Sequence, residues 1–124
     1  MADAMTTAAR PADRRGILFL VSLLVIVLDR ITKIAVARTI SMGDAHVVIP
    51  KVFRITHVLN TGAAFSLFGD SASPERVRWL LVAFSLIAAV IVAIVLVRMG
   101  RRVSATTFGL ALILGGAIGN AYDR

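Results

Sequence analysis

Apolar residues run along this chain in long blocks, not in the short periods of an amphipathic domain. Gly16 to Leu28 is apolar apart from Ser22. At 13 residues, it falls short of the about 20 needed to cross a bilayer core at about 1.5 Å per residue. It reaches that length only by continuing through Asp29-Arg30-Ile31-Thr32-Lys33-Ile34-Ala35-Val36-Ala37, which puts three charges in its second half. Trp79 to Val97 is 19 residues without a charge, and Val103 to Tyr122 is 20. The pattern predicts three membrane-crossing helices at about 16–38, 77–98 and 103–122, the last two joined by a short turn at Met99-Gly100.

Residues 39–75 have a different character. Val47 to Leu59 is rich in β-branched residues, and Val52 to Val58 alternates apolar with polar, as in a half-exposed strand. Asn60-Thr61-Gly62 breaks it as a turn. Ser73-Pro74 reads as a helix entry, with Ser73 at the cap and Pro74 in the first helical position. The segment is expected to form a small β element lying on the membrane. Residues 1–15 are Ala, Thr, Pro and charge without an apolar period, and read as a disordered tail. A cleavable leader is a rival reading of Arg14-Arg15, the apolar stretch and Ala35-Val36-Ala37. The charges between Leu28 and Ala37 speak against it, because a leader approaches its cleavage site through a short run of small residues.

Composition agrees with a membrane protein. The chain is 58% apolar and 17% charged, where soluble domains are roughly half apolar and a quarter charged. With no cysteine, it has no disulfide framework, thiol nucleophile or Cys-ligated metal site. Its net charge of +7 would suggest nucleic acid in a soluble protein. Here the basic residues sit at the edges of apolar runs and not in a stripe with aromatics, so no nucleic-acid partner is expected. Arg10, Arg14 and Arg15 flank the first run, and Arg98, Arg101 and Arg102 fill the turn between the second and third. Lys51, Arg54, Arg76 and Arg78 lie in or beside the long middle segment, where charge counts for less. The expected orientation has a cytoplasmic N-terminus and residues 39–75 outside.

That orientation gathers the unusual polar groups near the outer surface. Asp29 and Lys33, four apart, share a helix face. Asn60 and Gly62 lie in the outer turn, and Asn120, Asp123 and Arg124 at the outer end of the third helix. Ionisable residues inside a span are costly and tend to mark function, although a buried ion pair can also serve only to orient a helix. Arg30 and Arg38 read as snorkelling to headgroups. His46 and His57, which could in principle activate Ser66 or Ser71, read as surface residues because no partner spacing accompanies them. Gly115-Gly116-Ala117-Ile118-Gly119 is a small-residue face suited to close helix approach.

Three stretches, Asp29-Arg30-Ile31-Thr32-Lys33, Asn60-Thr61-Gly62-Ala63-Ala64-Phe65-Ser66 and Gly115 through Arg124, resemble in order and placement the lipoprotein signal peptidase family. The resemblance covers residues 16–124. It implies an all-α integral membrane fold of four transmembrane helices, three of them present here, with a small outer-face β element, in the bacterial cytoplasmic membrane. It implies an aspartyl endopeptidase without metal or cofactor, acting as a monomer on lipid-modified prolipoproteins among membrane lipids. In that family two aspartates activate a water that attacks the bond preceding the diacylglyceryl-modified cysteine. Two close carboxylates can share a proton and so divide the roles of base and acid.

The chain departs from the family in one respect. The family's aspartates lie in a Val-x-Asp-Phe-like stretch after the Asp-Arg motif and in Phe-Asn-x-Ala-Asp at the start of the fourth helix, and this chain ends at Arg124 before both. Residues alone would point to Asp29 and Asp123 as the pair, the carboxylates near the membrane site. The resemblance instead makes Asp29, Lys33, Asn60, Gly62, Asn120, Asp123 and Arg124 site-shaping and substrate-binding positions. The catalytic pair is then expected beyond Arg124, and residues 1–124 are expected to be a fragment inactive alone. A different reading is a non-catalytic three-span transporter or assembly subunit, with Asp29-Lys33 as a gated intramembrane pair.

Overall fold

Three helices and one hairpin make up the computed structural model, which describes residues 12–59 and 73–124. Helix α1 (Arg15–Thr39) does continue through the charged stretch, and at 25 residues it is about 37 Å long at 1.5 Å per residue. It is followed by β1 (Ala45–Ile49) and β2 (Phe53–Thr56), then α2 (Pro74–Met99) and α3 (Ala105–Asp123). Two helices, Glu75–Met99 and Ala105–Asp123, are long and apolar enough to cross a membrane by length and composition. α1 is long enough too, but Asp29, Arg30 and Lys33 interrupt its apolar character.

The caps follow local chemistry. Pro74 sits in the first turn of α2, where its missing N–H costs nothing, and Ser73 occupies the cap position without a side-chain hydrogen bond. Gly100 ends α2, its N–H donating to the Leu96 carbonyl at 2.7 Å. α3 opens on a capping box. Thr107 N–H donates to Ser104 Oγ at 3.2 Å, and Ser104 N–H donates to Thr107 Oγ1 at 2.9 Å.

α3 packs against both α1 and α2. Its contacts with α1 climb in step along both chains, so the two helices run parallel. Ser22 Oγ donates to the Ala111 carbonyl at 2.8 Å. A Cβ on Gly115 would fall 2.7 Å from both the Ser22 carbonyl oxygen and Val25 Cβ. A Cβ on Gly119 would meet Asp29 Oδ2 at 3.0 Å. Gly115 and Gly119 therefore form the close-approach face expected of the glycine run, whereas Gly116 has open space around it. The small buried core is Leu18, Ala89, Leu96, Ala111 and Leu114. Leu20, Leu24, Leu80, Phe84 and Ile87 are all more than half exposed. Such a bare apolar surface suits lipid, not water.

The expected β element is an antiparallel two-stranded hairpin, with Ala45 opposite Thr56 and Val47 opposite Arg54 and an irregularity between Val47 and Ile49. Its turn places Lys51 at φ 61°. The ladder extends past β2: Gly43 N–H donates to the His57 carbonyl at 2.8 Å, and His57 N–H donates to the Asp44 carbonyl at 3.1 Å. Gly43 holds φ +86°, which a side chain would oppose, and so lets the chain leave α1 and start the hairpin within a few residues.

Candidate functional site

The parallel register of α1 and α3 decides what meets at one end of the bundle. Ser22 lies against Ala111 and Asp29 against Gly119, and one further turn brings Lys33 to Asp123. Lys33 Nζ donates to Asp29 Oδ2 at 2.6 Å and also to Asp123 Oδ2. The other oxygen of Asp123 accepts from Arg30 Nη1 at 2.6 Å. Arg30 lies over the Tyr122 ring, 4.4 Å from its centroid, within reach of a cation–π attraction. Two cations of α1 thus grip one carboxylate at the C-terminal end of α3, and Lys33 bridges two carboxylates.

This corrects one expectation. Arg30 does not reach outward alone; it belongs to the cluster. One residue is about 100° around a helix, and Arg30 follows Asp29. Asp123 sits where both Arg30 and Lys33 can reach it.

A groove of about 600 Å³ opens beside this cluster. Thr32, Lys33, Val36 and Ala37 of α1 line one side, Asn120, Asp123 and Arg124 another, and Thr56 to Leu59 at the hairpin exit a third. The structure therefore brings together Asp29, Lys33, Asn120, Asp123 and Arg124 from the expected set. Asn60 and Gly62 lie outside the described residues.

His57 is the residue that sequence reasoning undervalued. It is half-buried, and its Nδ1 is 2.6 Å from the Ile40 carbonyl oxygen. A carbonyl only accepts, so Nδ1 carries the proton in this contact. The ring pins the hairpin exit to the end of α1 and contributes to the groove wall. No spacing signal marks it, because its partner is a backbone carbonyl 17 residues away. His46 lies exposed in β1. Among the described residues no group of three or more His, Cys, Asp or Glu could hold a metal ion.

The groove offers chemistry for an extended peptide. Asn120, on the groove wall, carries both a donor and an acceptor. Val36, Ala37, Val58 and Leu59 supply apolar wall beside it. Asp29 and Asp123, the carboxylates beside the groove, are both held by cations. An ammonium stands between them where an aspartyl pair would share a proton.

Residues 21–124 match the family model for signal peptidase (SPase) II. The chain belongs to the signal peptidase II family. It is 40% identical over 120 residues to the lipoprotein signal peptidase of Pseudomonas fluorescens, covering 97% of this chain and 69% of that protein. It is 47% identical over 106 residues to that of Pseudomonas putida, covering 83% and 59%, and 45% identical over 107 residues to that of Pseudomonas aeruginosa, covering 84% and 60%. The chain thus spans 59–69% of the length of these curated relatives. Signal peptidase II is a peptidase, and the apolar helices of this chain suit the membrane in which that family works.

Proposed function

We propose that these residues form the substrate-facing frame of a bacterial lipoprotein signal peptidase, which removes signal peptides from diacylglyceryl-modified prolipoproteins. The enzyme is an aspartyl peptidase and works as a monomer in the cytoplasmic membrane. α1, α2 and α3 each cross the bilayer as one membrane domain, and the N-terminal residues before α1 lie on the cytoplasmic side; Arg15 opens the helix, one residue earlier than the sequence boundary at Gly16. Support for this orientation comes from the arginines: Arg14 N–H donates to the Arg101 carbonyl, so the basic N-terminal flank and the Arg98–Arg102 turn share one end. The Asp29-Lys33-Asp123 cluster lies at the other, outer end.

The single observation that carries the reading is the meeting of the family-matching positions Asp29, Lys33, Asn120, Asp123 and Arg124 around or beside one groove. In the proposed roles, Lys33 and Arg30 lock α1 to α3 through Asp123. Asn120, together with Asn60 and Gly62 of the matching sequence stretch, holds the substrate backbone. The diacylglyceryl chains stay in the lipid against the apolar helix faces. The water-activating aspartates are supplied by family sequence that residues 1–124 do not span. The lysine bridge supports this assignment, because Asp29 and Asp123 are each committed to a cation.

Cleavage of a diacylglyceryl-modified prolipoprotein in detergent tests the proposal. Residues 1–124 alone should give no product. A chimera joining them to the remaining C-terminal segment of the Pseudomonas putida relative should cleave. Asn120→Ala in that chimera should lower kcat/KM by about tenfold or more, the scale of a lost backbone-holding hydrogen bond, without removing the protein from the membrane. Cleavage by residues 1–124 alone would return the catalytic role to Asp29 and Asp123.

A further inference from the structure

The end of the bundle away from the groove carries a second feature. Arg14 N–H donates to the Arg101 carbonyl at 3.4 Å, tying the start of α1 to the turn between α2 and α3. A pocket of about 400 Å³ forms there, lined by Ala12, Arg14, Arg101, Arg102 and Val103. A water molecule's share of liquid volume is about 30 Å³, so the space admits a group much larger than one water.

The electrostatics of this pocket are one-sided. Among the described residues, the carboxylate at this end is Asp13, and it is paired with Arg15 at 3.3 Å. Arg14, Arg101 and Arg102 have no ion pair with any described residue. Arg15 Nε is buried without a hydrogen-bond partner, although its neighbouring Nη1 has one. α1 also begins here, with no acidic residue in its first turn and no side-chain cap from Arg14. A helix N-terminus favours anions and disfavours cations; Asp13 Oδ1 accepts from the Arg15 N–H at 3.1 Å, and one carboxylate does not balance the arginines gathered around it. α3 also starts at this end without an acid in its first turn. Orientation alone asks only for positive charge near a span. It does not ask for three arginine-bearing positions around one pocket on two separate segments.

We propose that this pocket seats the phosphate of an anionic phospholipid headgroup. Arg14, Arg101 and Arg102 would contact its oxygens, and the acyl chains would run down the exposed apolar faces that begin directly below, at Ile17 and Val103. The position commits the site to a lipid in preference to a free anion, because a pocket at the end of apolar helices offers the acyl chains a place. Guanidinium groups suit phosphate through paired N–H donors. The proposal is independent of the peptidase reading, since it concerns the opposite end of the bundle.

The test is binding to the delipidated 124-residue chain in neutral detergent, read by native mass spectrometry. Phosphatidylglycerol should bind about tenfold or more tightly than phosphatidylcholine. Arg101→Gln with Arg102→Gln should weaken phosphatidylglycerol about thirtyfold, from the usual strength of two basic contacts to an anionic headgroup. The charge-matched control Arg76→Gln with Arg78→Gln should leave it unchanged. Arg101→Lys with Arg102→Lys should retain part of the binding, as charge without the planar fork. Far-ultraviolet circular dichroism establishes that each variant keeps its helices. Equal binding of the two lipids by the unaltered chain would overturn the proposal without reference to any variant. Equal loss in the Arg76/Arg78 control would reduce the effect to net charge and overturn it too. Displacement of the lipid by millimolar inorganic phosphate would identify a free-anion site and overturn the lipid assignment.

Discussion

Gly115→Ala should destabilise the bundle more than any other single methyl added to the glycine run. The new Cβ would lie 2.7 Å from the Ser22 carbonyl oxygen and from Val25 Cβ, and 2.9 Å from Val25 Cγ1. Ordinary contact begins near 3.4 Å, so α1 and α3 must separate by several tenths of an ångström. The obstructing oxygen belongs to the backbone of a helix, which cannot rotate away as a side chain would. Overpacking of this kind costs about 1–3 kcal/mol. The same separation stretches the 2.8 Å Ser22–Ala111 hydrogen bond, and interhelical bonds of that type in membranes contribute about 0.6 kcal/mol on average. A total near 2 kcal/mol corresponds to roughly a thirtyfold shift in the unfolding equilibrium.

The assay is denaturant or thermal unfolding in detergent micelles, followed by circular dichroism, with Gly116→Ala as the control. Gly116 has nothing within 4 Å of its added Cβ, so its alanine variant should be neutral or slightly stabilising. Combining Gly115→Ala with Val25→Ala should recover only part of the loss. That change removes Val25 Cγ1 but leaves Val25 Cβ and the Ser22 carbonyl in place. Equal stability of Gly115→Ala and Gly116→Ala would refute the close α1–α3 approach and, with it, the register that brings Lys33 to Asp123.

Three further outcomes follow from the same interface. Ser22→Ala, which loses a buried hydroxyl bonded to Ala111, should cost about 0.5–1.5 kcal/mol by the same unfolding measurement; no change would mean that the bond is not formed in micelles. Lys33→Met should cost more than Arg30→Gln, because it leaves Asp29 and Asp123 facing each other without their shared cation. Adding Asp29→Asn to Lys33→Met should restore about 1 kcal/mol in a double-mutant cycle, whereas strict additivity would contradict the bridge. His57→Ala should leave the helices intact but speed proteolysis in the hairpin, since it removes the 2.6 Å contact to the Ile40 carbonyl; an unaltered cleavage rate would assign the anchoring to the Gly43–His57 ladder alone.

What could be read from the residues, and what could not, divides by the range of the forces involved. Runs of uncharged apolar residues mark α2 and α3 because helix length and lipid compatibility are properties of a single segment. α1 is also visible, because its local pattern continues through Asp29 and Lys33 at a helical spacing of four. The hairpin announces itself in the β-branched residues between Val47 and Thr56, although its turn, with Lys51 at φ 61°, carries no sequence signal of the usual kind. Arg30 carries no local signal of its pairing, because its partner is Asp123, 93 positions away. Only the parallel α1–α3 register makes that pairing possible, and the register is set by Gly115 and Gly119. The glycines were legible as a close-approach face, but not which helix they approach. That choice then fixes the chemistry: with Gly115 against Val25 and Gly119 against Asp29, the next turn must bring Asp123 beside Lys33. The charged cluster is therefore a consequence of small-residue packing two turns below it. Enlarging Gly115 should disturb the ion pairs at Asp123 before it disturbs the hairpin, which is tied to α1 through Ile40 and not through α3.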